Sequence, residues 1–168
     1  MVTEQTTHEK LGFTDDEWGL LVGLPEAVVT AASAVESDSG RRSRAESAAG
    51  HEVISAGRES ASPLVNAVAV ELLSRVGDPE AGEMPPAITP ADPAATVADT
   101  LVRARAAAAL LEGRASEGES GAYRHWLTEI ADAVVTATRS GGLLGIGGEQ
   151  VTEAERHFRD ELAAILAD

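Results

Sequence analysis

The side chains in this sequence that are best suited to binding a metal ion are its histidines and its many acids. Two histidine–glutamate pairs are four residues apart, His125 with Glu129 and Glu153 with His157. This spacing puts both side chains of a pair on one face of a helix, where they could share a metal ion. The H-E-x-x-H motif and the paired E-x-x-H motifs of di-iron bundles are both absent. We therefore expect both histidines to be exposed helix residues.

No arrangement of residues points to nucleophilic catalysis. The chain has no cysteine, and the G-x-S-x-G motif of serine hydrolases does not occur. Acids are plentiful, but no pair is singled out by its spacing as a general acid and base. We predict that the protein is not an enzyme and that it needs no cofactor.

A glycine-rich run at residues 141–148 precedes the last predicted helix. Helix N-termini attract anions, so this run could suggest a phosphate-binding loop. Such a loop needs a preceding strand and a Gly-Lys-Ser/Thr ending, whereas this run follows a helical segment and contains no lysine. The acids Glu149, Glu153 and Glu155 lie just after it. We expect a turn in which glycines supply positive φ angles.

The charge of the chain excludes several classes of partner. There are 28 acids and 13 lysines and arginines, which gives a formal net charge of −15. That charge repels phosphate backbones and anionic membranes, so we expect no contact with nucleic acid or membrane. Arg41, Arg42 and Arg44 form the basic cluster, flanked by Asp38 and Glu46. This cluster is typical of a solvated loop that makes local ion pairs.

Composition and patterning predict an all-α fold. Hydrophobic residues make up 43% of the chain but aromatic residues only 3%, which favours closely packed helices over a sheet. Thr14 and Glu17 form a capping box, so they predict the start of the first helix. Pro25 then removes a backbone donor, so we expect a kink or a break near Leu24.

Further start signals predict the other helices. The second helix, over 42–58, has a sparse apolar stripe of Ala45, Ala49, Val53 and Ile54. Ser62 and Asp92, each followed by proline, cap the third and fourth helices, and Gly77 stops the third. The fifth spans 120–140 with the clearest apolar face, and a second capping box, Thr152 with Glu155, begins the last.

The predicted organisation is one helical domain, 13–168, after a flexible N-terminus, 1–12. It is a bundle of about six helices in two three-helix halves, 13–76 and 94–168. The linker between them, 77–93, holds five of the seven prolines, four acids and no base, so we expect it to be extended. The N-terminus has no signal-peptide core, and the longest purely apolar run, 106–111, is far below the ~20 residues of a membrane helix. We expect cytoplasmic residence. An excess of arginine over lysine is typical of a GC-rich bacterium.

Two segments resemble the acidic-glycine turns of bacterial TerB-like domains of the tellurite-resistance group. They are Ser37-Asp38-Ser39-Gly40 followed by Glu46, and the segment 147–152 followed by Glu155. The regions 13–25 and 141–148 are also similar to an uncharacterised bacterial all-helical family. The resemblance implies a helical bundle whose acidic turns bind a metal, with Asp38, Glu46, Glu149 and Glu155 as candidate ligands.

These observations lead to two hypotheses of function. The first is a non-enzymatic cytoplasmic protein that acts through protein–protein contacts, with a partner protein or as a homodimer. The alternative is a TerB-like stress-response protein that binds a divalent cation through its acidic turns.

Overall fold

The computed structural model describes residue 8 and residues 11–35, 40–137 and 151–167, except for the side chains of 40–43. These residues form six α-helices and no strand, so the predicted all-α bundle is confirmed. The helices are α1 (Asp15–Ala34), α2 (Gly40–Ala56), α3 (Pro63–Val76), α4 (Pro93–Arg114), α5 (Glu117–Thr136) and α6 (Glu153–Ala167).

The capping residues that begin these helices were predictable because each acts on its own first turn. Thr14 and Glu17 exchange hydrogen bonds with each other's backbone N–H groups, and Thr152 and Glu155 do the same. The side chains of Ser62 and Asp92 each accept a hydrogen bond from the amide three residues on. Ser116 caps α5, so this helix begins three residues earlier than predicted.

Helix α1 lies at the centre of the bundle and contacts each of the other five helices. Its most extensive contact is with α4, and α2 packs most extensively against α5. Helices from before and after the linker therefore share one core. None of the helices in the described part of the chain has the length and apolar character needed to cross a membrane.

Two glycines let α2 approach its neighbours closely. A Cβ atom on Gly50 would lie 2.7 Å from Val29 Cγ2 on α1 and 2.8 Å from Val134 Cγ2 on α5. A Cβ atom on Gly57, just past the end of α2, would lie 2.8 Å from the ring of Trp126. All three distances are shorter than packed carbon atoms allow, so glycine is the residue that fits at both positions.

The expected break at Pro25 does not occur, because α1 continues through this residue. Proline has no N–H, so the Leu21 carbonyl loses the partner that residue 25 would otherwise supply. The hydroxyl of Tyr123, on α5, donates to that carbonyl at 2.7 Å. Tyr123 is fully buried, so both polar groups are satisfied without water.

The linker was predicted to be extended over its whole length, but its first part is folded against the bundle. Residues Pro79–Ala81 form a 3₁₀ turn capped by Asp78. The guanidinium of Arg58, two residues past the end of α2, donates to Asp78 at 2.7 Å and also pairs with Glu80. The ion pairs hold this turn in place. Residues 84–91, which we call the outer linker, have no regular secondary structure.

The Tyr123–Leu21 hydrogen bond predicts a coupling between Tyr123 and Pro25. Tyr123→Phe leaves the Leu21 carbonyl buried without a partner and should cost about 1–3 kcal/mol of the free energy of unfolding. In a Pro25→Ala background, position 25 regains a backbone N–H that can donate to that carbonyl, so the same change should cost at least about 0.5 kcal/mol less. Urea denaturation of the four proteins measures the difference. Additive effects would show that Tyr123 does not compensate for the proline.

Candidate functional site

The buried face of α2 is polar, in contrast to the apolar stripe predicted for it. Ala45 is exposed, and Ala49 and Val53 are only partly buried, so of the predicted stripe only Ile54 is fully buried. The face that turns inward instead carries Glu46, Ser47, His51 and Ser55. Buried polar side chains need hydrogen-bond partners. The predicted stripe was only partly right, because apart from Ile54 the fully buried positions of α2 are polar or glycine.

His51 is the centre of this polar face. Its side chain is 1% exposed. Its Nε2 lies 2.7 Å from Oε2 of Glu26 on α1, and its Nδ1 lies 2.7 Å from the Ser47 carbonyl oxygen and 3.3 Å from the Ser47 hydroxyl. The imidazole thereby joins α1 to α2 across the bundle.

These contacts determine the protonation of His51. A carbonyl oxygen and a carboxylate can only accept, so both ring nitrogens must donate, which is possible only for the imidazolium. Burial by itself lowers the pKa of His51, but the hydrogen bond and charge of Glu26 and the Ser47 carbonyl outweigh it. The net effect is a pKa raised above the ordinary value of 6.5.

The geometry of Ser47, His51 and Glu26 differs from that of a catalytic triad. In a triad, one ring nitrogen must accept the proton of the serine hydroxyl. Here the nitrogen next to Ser47 already donates to the serine's own carbonyl at 2.7 Å. The nitrogen next to Ser47 is therefore not free to accept the serine proton, and His51 is not placed as the general base of a triad.

A cavity of about 550 Å³ lies beside this pair, between α2 and the linker. His51 and Ser47 line it from the α2 side, together with Arg44 and Glu52. Pro79 and residues 84–87 cover it from the linker side. The cavity is within the usual size range of sites for small molecules.

The four candidate metal ligands are only partly within the described residues. Glu46 and Glu155 are buried, at 3% and 2% exposure, and neither is without a partner. Glu155 accepts from the Thr152 amide at 2.8 Å, as the capping box requires. Asp38 and Glu149 lie outside the described residues. Over 11–35, 40–137 and 151–167, no cluster of three or more metal-ligating side chains occurs.

Both histidine pairs singled out by spacing lie on exposed helix surfaces. His125 Nε2 is 3.4 Å from Glu129 Oε1, and both side chains are largely exposed. His157 is paired with Glu161, at 3.7 Å, and not with Glu153. An exposed ion pair of this kind contributes little to stability. Of the two pairs predicted from the spacing, His125–Glu129 forms and Glu153–His157 does not, and the spacing did not indicate the buried His51.

Two other features of interest extend beyond the described residues. The glycine-rich run 141–148 lies outside them. In the basic cluster, the side chains of Arg41 and Arg42 are not described, while Arg44 lies exposed on α2. The cluster therefore belongs to the first turns of a helix and not to a loop.

A second cavity, of about 690 Å³, lies where α4, α5 and α6 meet. Arg124 lines it and donates to the carbonyls of Leu166 and Ala108, each at 3.3 Å. It also pairs with Glu112 at 3.4 Å. Its Nε is buried and has no partner among the described residues. The guanidinium joins the C-terminal end of α6 to α4, which is a structural role.

The sequence contained one signal of the Glu26–His51 site. On α2, positions 46, 47, 50, 51, 54 and 55 are buried, and all except 54 are polar or glycine. Helical spacing of small and polar residues in place of an apolar stripe marks a polar interface. The partner Glu26 is 25 residues away, so no local pattern could identify it.

The buried pair predicts a stability that depends on pH. At about pH 6, Glu26→Gln removes the counter-charge of His51 and should cost about 1.5–3 kcal/mol in the free energy of unfolding. Glu129→Gln, at the exposed His125 pair, is the matched control and should cost less than about 0.5 kcal/mol.

The sign of the pH effect follows from the raised pKa. The contribution of protonated His51 is complete below its unfolded value of 6.5 and is lost as the pH rises through the raised folded pKa. The difference between the wild type and Glu26→Gln should therefore shrink as the pH rises above the raised pKa of His51. Urea denaturation at several pH values measures it. A difference that grows with pH would contradict a charged His51.

Comparisons with known proteins do not extend these observations. The chain matches no protein-family model. It also has no significant match among curated proteins or solved structures. The resemblance to TerB-like domains therefore stays a prediction, and function must be argued from the residues themselves.

Proposed function

We propose that this protein is a non-enzymatic cytoplasmic protein that acts by contacting another protein, with the outer linker as its contact segment. The observation that supports this proposal is the exposure of two large apolar side chains there. Met84 is 74% exposed and Ile88 is 51% exposed. Exposed apolar side chains on one short segment are typical of a protein-binding surface.

The backbone of the outer linker also favours this function. Among the described residues, no hydrogen bond is made by its backbone N–H or C=O groups. Prolines at 85, 86 and 90 restrict the segment, so it loses less conformational entropy on binding. A partner can make apolar contacts with the exposed side chains and hydrogen bonds with the unpaired backbone groups of this segment.

Charge indicates what kind of partner fits. Four acids and no base lie within 77–93, and the whole chain carries a net charge of −15. An apolar groove with a basic rim would complement this segment. A second copy of the chain is a poorer electrostatic match, and it is the other outcome of the test below.

His51 has no ring nitrogen free to accept a proton, which supports the non-enzymatic part of the proposal. Both ring nitrogens are engaged, by Glu26 and by the Ser47 carbonyl. An imidazole held in this way cannot take a proton from a substrate.

Cross-linking at Ile88 tests the proposed contact. A photoreactive amino acid placed at Ile88 should give a discrete cross-linked product in cells of the source organism, because the side chain points away from the core. The matched control is Val70 on α3, which is also 51% exposed. It should give no such product. Mass spectrometry of the product distinguishes a partner protein from a second copy.

Two results would contradict the proposal. If Ile88 gives no discrete product, or if Val70 gives the same one, then the outer linker is not the contact segment. Retained thermal stability of both substituted proteins would show that they are folded.

The alternative function, divalent-cation binding through Asp38, Glu46, Glu149 and Glu155, makes a separate prediction. A bound ion stabilises the folded state, so millimolar Ca²⁺ would raise the Tm more than NaCl of equal ionic strength. We expect the two salts to act equally, through screening of a chain at −15. A Ca²⁺-specific rise that Asp38→Asn or Glu149→Gln removes would favour the alternative.

A further inference from the structure

The cavity between α2 and the linker has two chemically different walls. The α2 wall presents Arg44, Ser47 and His51, which are spaced i, i+3 and i+7 and so share one helix face. The linker wall is formed by prolines, Ala87 and Met84, and carries no charged side chain. A cavity with one polar and one apolar wall suits an amphipathic ligand.

Arg44 is unusual among the arginines of this acidic chain. Apart from Arg156, every other arginine whose side chain is described pairs with a carboxylate. Arg44 makes no ion pair or hydrogen bond within the described residues, although it lines the cavity. Its guanidinium offers five donors in a planar arrangement that matches a carboxylate.

Ser47 supplies a second donor to the same cavity. The Nδ1–H of His51 points to the Ser47 carbonyl at 2.7 Å and to the Ser47 hydroxyl oxygen at 3.3 Å. The serine oxygen therefore accepts from His51, and its own hydrogen is available to a ligand. Two donors three residues apart on one helix face suit a carboxylate, whose two oxygens can accept from both.

We propose that this cavity binds a small organic carboxylate with an apolar body. The carboxylate accepts from Arg44 and Ser47, and the body lies against Met84 and the neighbouring prolines. Glu52 also lines the cavity, eight residues along α2 from Arg44, which is about 12 Å along the helix axis. Its charge repels a second anionic group, so the ligand has one charge at one end.

This proposal is independent of the contact proposed for the outer linker. The two proposals share residues 84–87 of the outer linker, but ligand binding depends on the donors of α2 and does not require a partner protein at Ile88. Cross-linking at Ile88 and ligand binding at Arg44 therefore fail or succeed separately.

Titration of the full chain with hexanoate tests the proposal, with its neutral analogue hexanamide as the comparison ligand. Amide chemical shifts in ¹H–¹⁵N spectra should change saturably at Ser47, Ala48 and Ala87, with a Kd of about 1 mM or tighter. Hexanamide lacks the charge and should bind at least about tenfold more weakly.

Arg44→Gln should weaken hexanoate binding at least about tenfold, because it removes the charged donor. Arg156→Gln is the matched control, since Arg156 is also exposed and unpaired within the described residues, and it should leave the Kd unchanged. No saturable shift by about 10 mM would overturn the proposal. Equal binding of hexanamide, no effect of Arg44→Gln, or an equal effect of Arg156→Gln would also overturn it.

Discussion

The carbonyl group of Leu21 imposes a constraint on the whole bundle. It lies in the central helix, one turn before Pro25, which has no N–H to donate to it. Packed side chains enclose it. An unpaired buried carbonyl would cost a sizeable fraction of a small protein's net stability. The hydroxyl that satisfies it belongs to Tyr123, the single tyrosine of the chain. The position of α5 against α1 is therefore fixed by a directional bond as well as by packing.

The two tryptophans act in a similar way on other helices. The indole N–H of Trp126 donates to the carbonyl of Val53 near the end of α2, at 3.2 Å. The indole N–H of Trp18, on α1, donates to Glu71 on α3. With only five aromatic residues available, the chain uses three of them to join helices through a polar group as well as through ring area. This use of aromatic side chains gives an alanine-rich core a defined arrangement.

Local chemistry could be predicted from the sequence, and long-range polar chemistry could not. Thr14, Ser62, Asp92 and Thr152 were identified as caps because each bonds to an amide within three residues. Pro25 was misjudged because its compensating donor is 102 residues from Leu21. The polar face of α2 was missed for the same reason, since Glu26 completes it from another helix. The folded turn at Asp78 depends on Arg58, which no turn signal indicates.

Gly50 and Gly57 also determine how far α2 can slide along its neighbours. They are seven residues apart, close to two full turns, so both face the same side of the helix. Val134 fits against the first glycine and Trp126 against the second. A slide of one turn, about 5.4 Å, would bring branched side chains such as Val53 and Ile54 against these positions, where not even a methyl group has room. The two glycines therefore fix the position of α2 along its own axis. In that position His51 meets Glu26.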